Sequence, residues 1–218
     1  GFVQYQPLGI IGVISPWNYT VALSMGPLVA ALAAGNRVMI KMSEFTPETS
    51  ALIEQLIHAT FPKDLVSVVN GDASVATEFS SIPWNHLIFT GSTSVGRHVM
   101  RAAAANLTPV TLELGGKSPT IISDDANMDE AVQAIVFGKA FNAGQTCVAP
   151  DYLFVPTASK SGLFYHLKQS LQDFYGEDPF KSPDFPRVIH TQHFERLKAF
   201  LSEGKVIVGG EAYKEDLY

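Results

Sequence analysis

The chain has 218 residues, of which 46% are hydrophobic and 17% are charged, and its formal net charge is −6. This length is sufficient for one large domain or two smaller ones, and the ordinary composition excludes a low-complexity or disordered chain. The 15 Lys and Arg residues are scattered along the sequence, which argues against nucleic acid as a partner.

The first 36 residues carry no charged side chain, so a membrane span has to be considered. Pro16, Asn18, Tyr19 and Pro27 interrupt this stretch, and no basic segment precedes it. We therefore expect a buried strand and a buried helix and no membrane segment in these residues, in which no secretion signal is visible. Cys147 is the only cysteine, which excludes an intramolecular disulfide and favours a reducing, cytoplasmic location.

Strands and helices are predicted to alternate along the first part of the chain. The predicted strands cover residues 8–14, 37–41, 65–69, 86–89 and 109–114, and the predicted helices cover residues 24–34, 47–60, 73–80 and 94–105. This alternation favours an α/β fold with a doubly wound, mostly parallel sheet. Such sheets bind their ligands at the carboxyl ends of the strands.

A second series of elements follows Gly115 and Gly116, which we interpret as the hinge between two domains, residues 1–115 and 116–218. Asn127 and Glu130 predict the capped start of a helix that extends to about residue 141. The other predicted helices cover residues 158–175 and 192–202, and the predicted strands cover residues 120–122, 152–155 and 205–208.

Cys147 lies in the segment Phe141-Asn-Ala-Gly-Gln-Thr-Cys-Val-Ala-Pro150, between a predicted helix and a predicted strand. A single cysteine is most often a small buried apolar residue. A polar turn that contains Gly144 is better suited to presenting a side chain, and a nucleophilic thiolate has to be presented in this way. On these residues alone, both interpretations stay open.

Glu113 ends a predicted buried strand, immediately before Gly115 and Gly116. A partly desolvated carboxylate at this position suits a general base. The alternative is an exposed strand-end glutamate that pairs with Lys117. The two glycines favour the first interpretation, because glycine allows a ligand to approach the backbone closely.

Two further turns that follow predicted strands could bind a nucleotide. One contains Gly91, Ser92 and Gly96 and opens a helix, whose N-terminus could bind a phosphate or simply be capped by a hydroxyl. The other contains Lys41 and Glu44, which could bind a ribose or lie in a solvated loop.

Asn18 lies between the first predicted strand and the first predicted helix. Its side chain could cap that helix. Alternatively, the amide could donate a hydrogen bond to a developing oxyanion.

The dispersed histidines give no indication of a metal site. Only His190 and His193 are spaced by one helical turn, and no other suitable ligand adjoins them in sequence. Asp124 and Asp125 precede a predicted helix and are interpreted as charges at its terminus. We therefore expect no metal.

Taken in order, these motifs resemble those of the aldehyde dehydrogenase superfamily. The matching stretches are Pro16-Trp-Asn-Tyr19, Lys41-Met-Ser-Glu44, Phe89-Thr-Gly-Ser-Thr93, Leu112-Glu-Leu-Gly-Gly-Lys117 and Gly144-Gln-Thr-Cys147. The stretches that resemble the class 3 branch, with its coniferyl, fatty and aromatic aldehyde dehydrogenases, are residues 109–119, 144–152 and 174–179.

This resemblance implies oxidation of an aldehyde to a carboxylic acid with NAD or NADP. Cys147 would attack the carbonyl, and the Asn18 amide and the Cys147 N–H would stabilise the oxyanion. Glu113 would activate the water that hydrolyses the thioester. The fold implied is a Rossmann-like cofactor domain followed by the start of a catalytic domain.

The resemblance also implies a cofactor site. Lys41 and Glu44 would hold the adenosine ribose, and Ser92 with the helix after it would hold the pyrophosphate. The other expected cofactor-binding residues are Trp17, Gly91, Gly96, Leu114 and Gly115. Met42 stands where the family usually has proline, which could loosen the turn that places Glu44.

Two of the family's expected parts lie outside this sequence, namely the start of the cofactor domain and a later Glu-x-Phe-Gly-Pro motif. We therefore expect a segment of a longer, homodimeric enzyme that acts on an aliphatic or aromatic aldehyde. Two alternatives stay open. One is an acylating relative that uses coenzyme A or phosphate, which the presence of Glu113 disfavours. The other is a non-catalytic nucleotide-binding module.

Overall fold

The computed structural model describes residues 1–218, which divide into two compact units, Gly1–Gly115 and Gly116–Tyr218. None of the helices in these residues combines the length and the apolar character that crossing a membrane requires.

The first unit is a doubly wound α/β structure, as predicted. Its elements are β1 (Ile10–Ile14), α1 (Thr20–Ala33), β2 (Arg37–Lys41), α2 (Pro47–Thr60), β3 (Val66–Val69), α3 (Ala73–Ser80), β4 (His86–Gly91), α4 (Thr93–Ala104) and β5 (Val110–Leu114). All five strands are parallel and lie in the order β3-β2-β1-β4-β5. The order reverses between β1 and β4, and in such sheets the ligand binds at this reversal.

Two apolar clusters cover the sheet of the first unit. One packs β1, β2 and β3 against α1 and α2, with Val13, Ile40 and Val66 almost fully buried. The other surrounds Trp84, whose indole N–H donates to the Phe79 carbonyl at 2.8 Å. The expectation that α1 is a buried helix is only half right, because Val21 and Val29 on its outer side are exposed.

The second unit is built around two parallel strands and two long helices. Its elements are β6 (Ser118–Ile121), α5 (Met128–Ala140), β7 (Pro150–Phe154), α6 (Lys160–Tyr175) and α7 (Thr191–Phe200), with 3-10 turns at Phe141–Gly144, Thr157–Ser159 and Pro179–Lys181. The Asn127 side chain caps α5, as predicted, by accepting from two backbone N–H groups of its first turn. Val132 and Leu163 lie at the centre of the core between α5 and α6.

The predicted strand at residues 205–208 is wrong. Val206, Ile207 and Val208 are not in a strand, and their side chains are partly exposed. A run of β-branched residues has high strand propensity, but a strand forms only where another strand supplies hydrogen bonds along its length.

Candidate active site

The parallel sheet of the first unit brings the ends of four strands to one edge. In the register of the sheet, Ile14 lies beside both Lys41 and Phe89, and Thr90 lies beside Glu113. The turns that follow β1, β2, β4 and β5 therefore leave the sheet at the same edge. The expected cofactor residues, together with Asn18 and Glu113, lie in these turns, at the strand ends before them or, for Gly96, in the first turn of α4.

Lys41 and Glu44 form an ion pair at the end of β2. The Lys41 ammonium nitrogen lies 2.9 Å from Glu44 Oε2, and the two side chains are 2% and 34% exposed. A buried ammonium needs a partner such as this carboxylate. The solvated-loop interpretation is therefore wrong for Lys41. Met42 is fully buried in the first apolar cluster, which explains why an apolar residue fits at this position.

Ser92 is the N-cap of α4. Its hydroxyl oxygen accepts a hydrogen bond from the Val95 N–H at 3.3 Å, and no acidic residue stands in the first turn of the helix. Gly96 is buried in that turn, where an added Cβ would lie 2.9 Å from Leu114 Cδ2. The glycine therefore lets α4 pack closely against β5, while Ser92 and the helix N-terminus face the turn.

Asn18 and Trp17 lie in the half-buried turn between β1 and α1. The Asn18 Oδ1 accepts from the Tyr19 N–H at 3.1 Å, and the Thr20 hydroxyl donates to the Trp17 carbonyl at 3.0 Å. Tyr19 is the N-cap residue of α1, and its side chain makes no capping bond. Because the amide oxygen of Asn18 is an acceptor in this turn, the NH₂ group is the end of the side chain that can donate.

Glu113 lies on β5, the edge strand of the sheet. Its side chain is exposed, so the prediction that it ends a buried strand is wrong. Successive side chains of a strand point to opposite faces of the sheet, and in β5 the face that packs against α4 is half-buried while the face that carries Glu113 is exposed. Nothing lies within 4 Å of a Cβ added at Gly115. Lys117, which the alternative interpretation paired with Glu113, instead forms an ion pair with Asp151 at 3.1 Å.

Cys147 lies in the second unit and is exposed, so the interpretation as a buried apolar residue is wrong. It follows three residues with left-handed backbone, which are Asn142 (φ 52°), Ala143 (φ 53°) and Gly144 (φ 74°). The left-handed region costs a non-glycine residue about 1–2 kcal/mol, so Asn142 and Ala143 hold strain. Such strained turns are frequent at functional sites.

Gln145 is a residue of this region that the sequence did not single out. Its side-chain nitrogen donates to the carbonyls of Asn142 at 3.1 Å and Arg187 at 3.0 Å. Its side-chain oxygen accepts from the Ile189 N–H at 2.9 Å. Its position two residues before Cys147 could have indicated a functional residue. Its backbone partners could not be predicted, because they lie 42 and 44 residues along the chain and have no sequence signature.

Comparison with known proteins identifies the family. A family model described as "Aldehyde dehydrogenase family" matches residues 1–217. A probable coniferyl aldehyde dehydrogenase of Pseudomonas aeruginosa is 54% identical over 203 residues, which are 93% of this chain and 42% of that protein. A mouse aldehyde dehydrogenase described as dimeric and NADP-preferring is 44% identical over 209 residues, which are 96% of this chain and 46% of that protein.

The solved structures agree with these matches. A structure described as the substrate-bound state of Staphylococcus aureus AldH superposes with a TM-score of 0.93 at 40% identity, over 98% of this chain and 47% of that one. The chain thus spans less than half the length of the relatives that it matches. From the match over nearly every residue and the shared fold, we conclude that the chain belongs to the aldehyde dehydrogenase family.

Proposed function

We propose that the protein carrying this chain oxidises an aldehyde to a carboxylic acid with NAD or NADP, through a thioester on Cys147. The observation that carries the proposal is the exposed thiol on a strained left-handed loop. An inert cysteine would gain from burial, whereas a nucleophile has to reach its substrate. Membership of the aldehyde dehydrogenase family supports the same chemistry.

The first step is attack by the Cys147 thiolate on the carbonyl carbon. The new C–S bond turns the carbonyl oxygen into an oxyanion, which the Asn18 NH₂ group and the Cys147 N–H stabilise by donating hydrogen bonds. When bound, NAD(P)⁺ supplies the hydride acceptor that makes the thiohemiacetal a thioester. Glu113 then takes a proton from water as the water oxygen attacks the thioester carbon, and the C–S bond breaks to release the carboxylic acid and the Cys147 thiolate. Glu113 returns its proton to solvent before the next cycle.

The cofactor residues fit a dinucleotide. Glu44 has a partly exposed carboxylate that Lys41 orients, and its remaining lone pairs suit ribose hydroxyls. An α-helix begins with several N–H groups that have no partner within the helix, and the Ser92 hydroxyl satisfies one of them, so capping and pyrophosphate binding are compatible. Trp17, Gly91, Gly96, Leu114 and Gly115 complete the proposed site.

The comparisons and the charge of Glu44 support our proposals for the substrate, the cofactor preference and the assembly. The coniferyl aldehyde relative favours an aromatic or aliphatic aldehyde as substrate. The charge of Glu44 would repel a 2′-phosphate and favours NAD, although the mouse relative is described as NADP-preferring. That relative is also described as dimeric, so we infer a homodimer.

Replacement of the proposed nucleophile tests the proposal. Cys147→Ala is expected to abolish aldehyde-dependent formation of NADH or NADPH by the complete protein, because no other thiol in this chain can form the thioester. Undiminished turnover by this variant would contradict the proposal.

Replacement of the proposed base tests the hydrolytic step. Glu113→Gln is expected to slow turnover about 10²–10⁴-fold and to leave an acyl group on Cys147 that mass spectrometry detects. Glu78→Gln, the same change at an exposed position of α3, serves as the control and is expected to turn over normally. Full activity of Glu113→Gln, or turnover that depends on coenzyme A, would show that water is not the acceptor that Glu113 activates.

A further inference from the structure

We propose that Gln145 is a positioning residue for Cys147, because its side chain fixes the loop that presents the thiol. The loop comprises residues 141–147 and is called the cysteine loop below. The inference rests on the proposed function, since it takes Cys147 as the nucleophile.

The cysteine loop has a backbone that its own sequence does not favour. Asn142 and Ala143 both have positive φ angles, and neither is glycine. Two consecutive left-handed L-residues persist only where the surrounding contacts leave the backbone no alternative.

Gln145 supplies the constraint within the loop. Its backbone N–H donates to the Asn142 carbonyl at 3.0 Å, and its side-chain nitrogen donates to the same carbonyl at 3.1 Å. In the other direction, the Asn142 side-chain amide donates to the Gln145 carbonyl at 3.4 Å. These three hydrogen bonds join Asn142 to Gln145, the two residues that flank Ala143 and Gly144.

Gln145 also ties the loop to a second segment. The two ends of its amide bond the Arg187 carbonyl and the Ile189 N–H, the pair of contacts that a neighbouring strand would make. That segment is itself fixed, because the Arg187 guanidinium donates to the carbonyls of Phe185 at 2.9 Å and Phe180 at 2.7 Å. Gln145 thus anchors the loop to a segment that is itself hydrogen-bonded within the second unit.

No other side chain can make this set of contacts. At position 145, glutamate would turn a carboxylate oxygen toward two carbonyl oxygens, and asparagine is one methylene too short to keep the present distances. With the anchor lost, the backbone of residues 142–144, which precede Cys147 by three to five positions, is free to leave the left-handed region. Both the thiol and the Cys147 N–H, the proposed oxyanion donor, would then change position.

The test compares Gln145→Glu and Gln145→Asn with Gln192→Glu, which makes the same charge change at an exposed position of α7. In the complete protein, the rate of Cys147 alkylation by iodoacetamide is measured across pH, and kcat is expressed per titrated Cys147 thiol. Misplacement of a group that reacts with a bound substrate by about 1 Å costs about 10²-fold, so we expect both Gln145 variants to lose about 10- to 100-fold in kcat. The alkylation rate and its pH profile are expected to differ from those of the wild type, because the position and surroundings of the thiol change. The KM for the cofactor is expected to stay unchanged, because the proposed cofactor residues belong to the first unit. Gln192→Glu is expected to behave as the wild type.

A purely structural role would give a different result. Thermal stability would fall, while kcat per titrated thiol and the pH profile of alkylation would stay those of the wild type, and this would overturn the inference. If a Gln145 variant does not fold, amide hydrogen exchange in the wild type still decides. The Ile189 N–H is expected to be protected, and rapid exchange there would overturn the anchor. Failure of the underlying function is separable, since it would appear as full activity of Cys147→Ala.

Discussion

Lys41 is the largest fully buried side chain of the chain, and its partner Glu44 is partly exposed. This asymmetry predicts that the two members of the ion pair respond differently to removal. Glu44→Gln leaves a buried ammonium without its counter-charge, which is costly. Lys41→Met removes the buried charge itself and replaces it by an apolar side chain of similar length, which is often neutral.

The size of each effect follows from the geometry. At an effective dielectric constant of about 20, unit charges 2.9 Å apart attract by about 6 kcal/mol. Water around Glu44 screens part of this attraction, and glutamine keeps an oxygen acceptor, so we expect Glu44→Gln to lower the free energy of unfolding by about 1–3 kcal/mol. Lys41→Met is expected to change the free energy of unfolding by less than about 1 kcal/mol. Both variants are expected to weaken NAD binding about tenfold or more.

Urea unfolding of the two single variants and the double variant closes a double-mutant cycle. In the Lys41→Met background, Glu44→Gln is expected to cost less than about 0.5 kcal/mol, since no buried charge remains. Calorimetric titration with NAD measures the affinity separately. Equal costs of Glu44→Gln in both backgrounds, or a cost above about 3 kcal/mol for Lys41→Met, would refute this account of the pair.

Two further predictions concern stability. Gly12→Ala would place a Cβ 2.8 Å from the ring of Trp84 and is expected to lower the free energy of unfolding by about 1–3 kcal/mol. Gly162→Ala in α6 would place a Cβ with nothing within 4 Å and is expected to raise the free energy of unfolding by about 0.5–1 kcal/mol. Thermal melts that show the same sign for both would contradict the packing argument. Hydrogen bonds from the Ser74 hydroxyl and N–H lower the pKa of Asp72 below its usual 3.8, so the contribution of this α3 cap is present above that pH and is lost as the pH falls through the lowered pKa. Asp72→Asn, which cannot titrate, should flatten this part of the stability–pH curve measured by circular dichroism.

The alternation of strands and helices could be predicted because its signals are local. Pro47 at the first turn of α2 is such a signal, and the predicted starts of α2 and α3 agree with the structure to the residue. The false strand at residues 205–208 had equally strong local signals. The strand prediction failed because strand pairing depends on tertiary contacts with elements that lie far away in sequence.

The placement of the cofactor residues could be predicted from the sequence, whereas the contacts of the cysteine loop could not. Parallel strands place their following turns at one edge, so the proximity of Lys41 and Ser92 to that edge follows from the topology alone. The burial of Glu113 depends on which elements cover the edge strand β5, and the prediction that Glu113 ends a buried strand was wrong. The contacts of Gln145 are to backbone groups, which every residue possesses, so no residue type marks the partner segment.

The energies of the cysteine loop indicate why its glutamine should affect the rate more than the stability. Ala143 holds about 1–2 kcal/mol of strain, and Asn142 holds less because asparagine tolerates the left-handed region. The three side-chain hydrogen bonds of Gln145 contribute about 1 kcal/mol each. Relief of the strain therefore offsets part of the loss of these bonds in the free energy of unfolding. Relaxation of the loop does not require the core around Val132 to open, so the change that remains is the position of the Cys147 thiol.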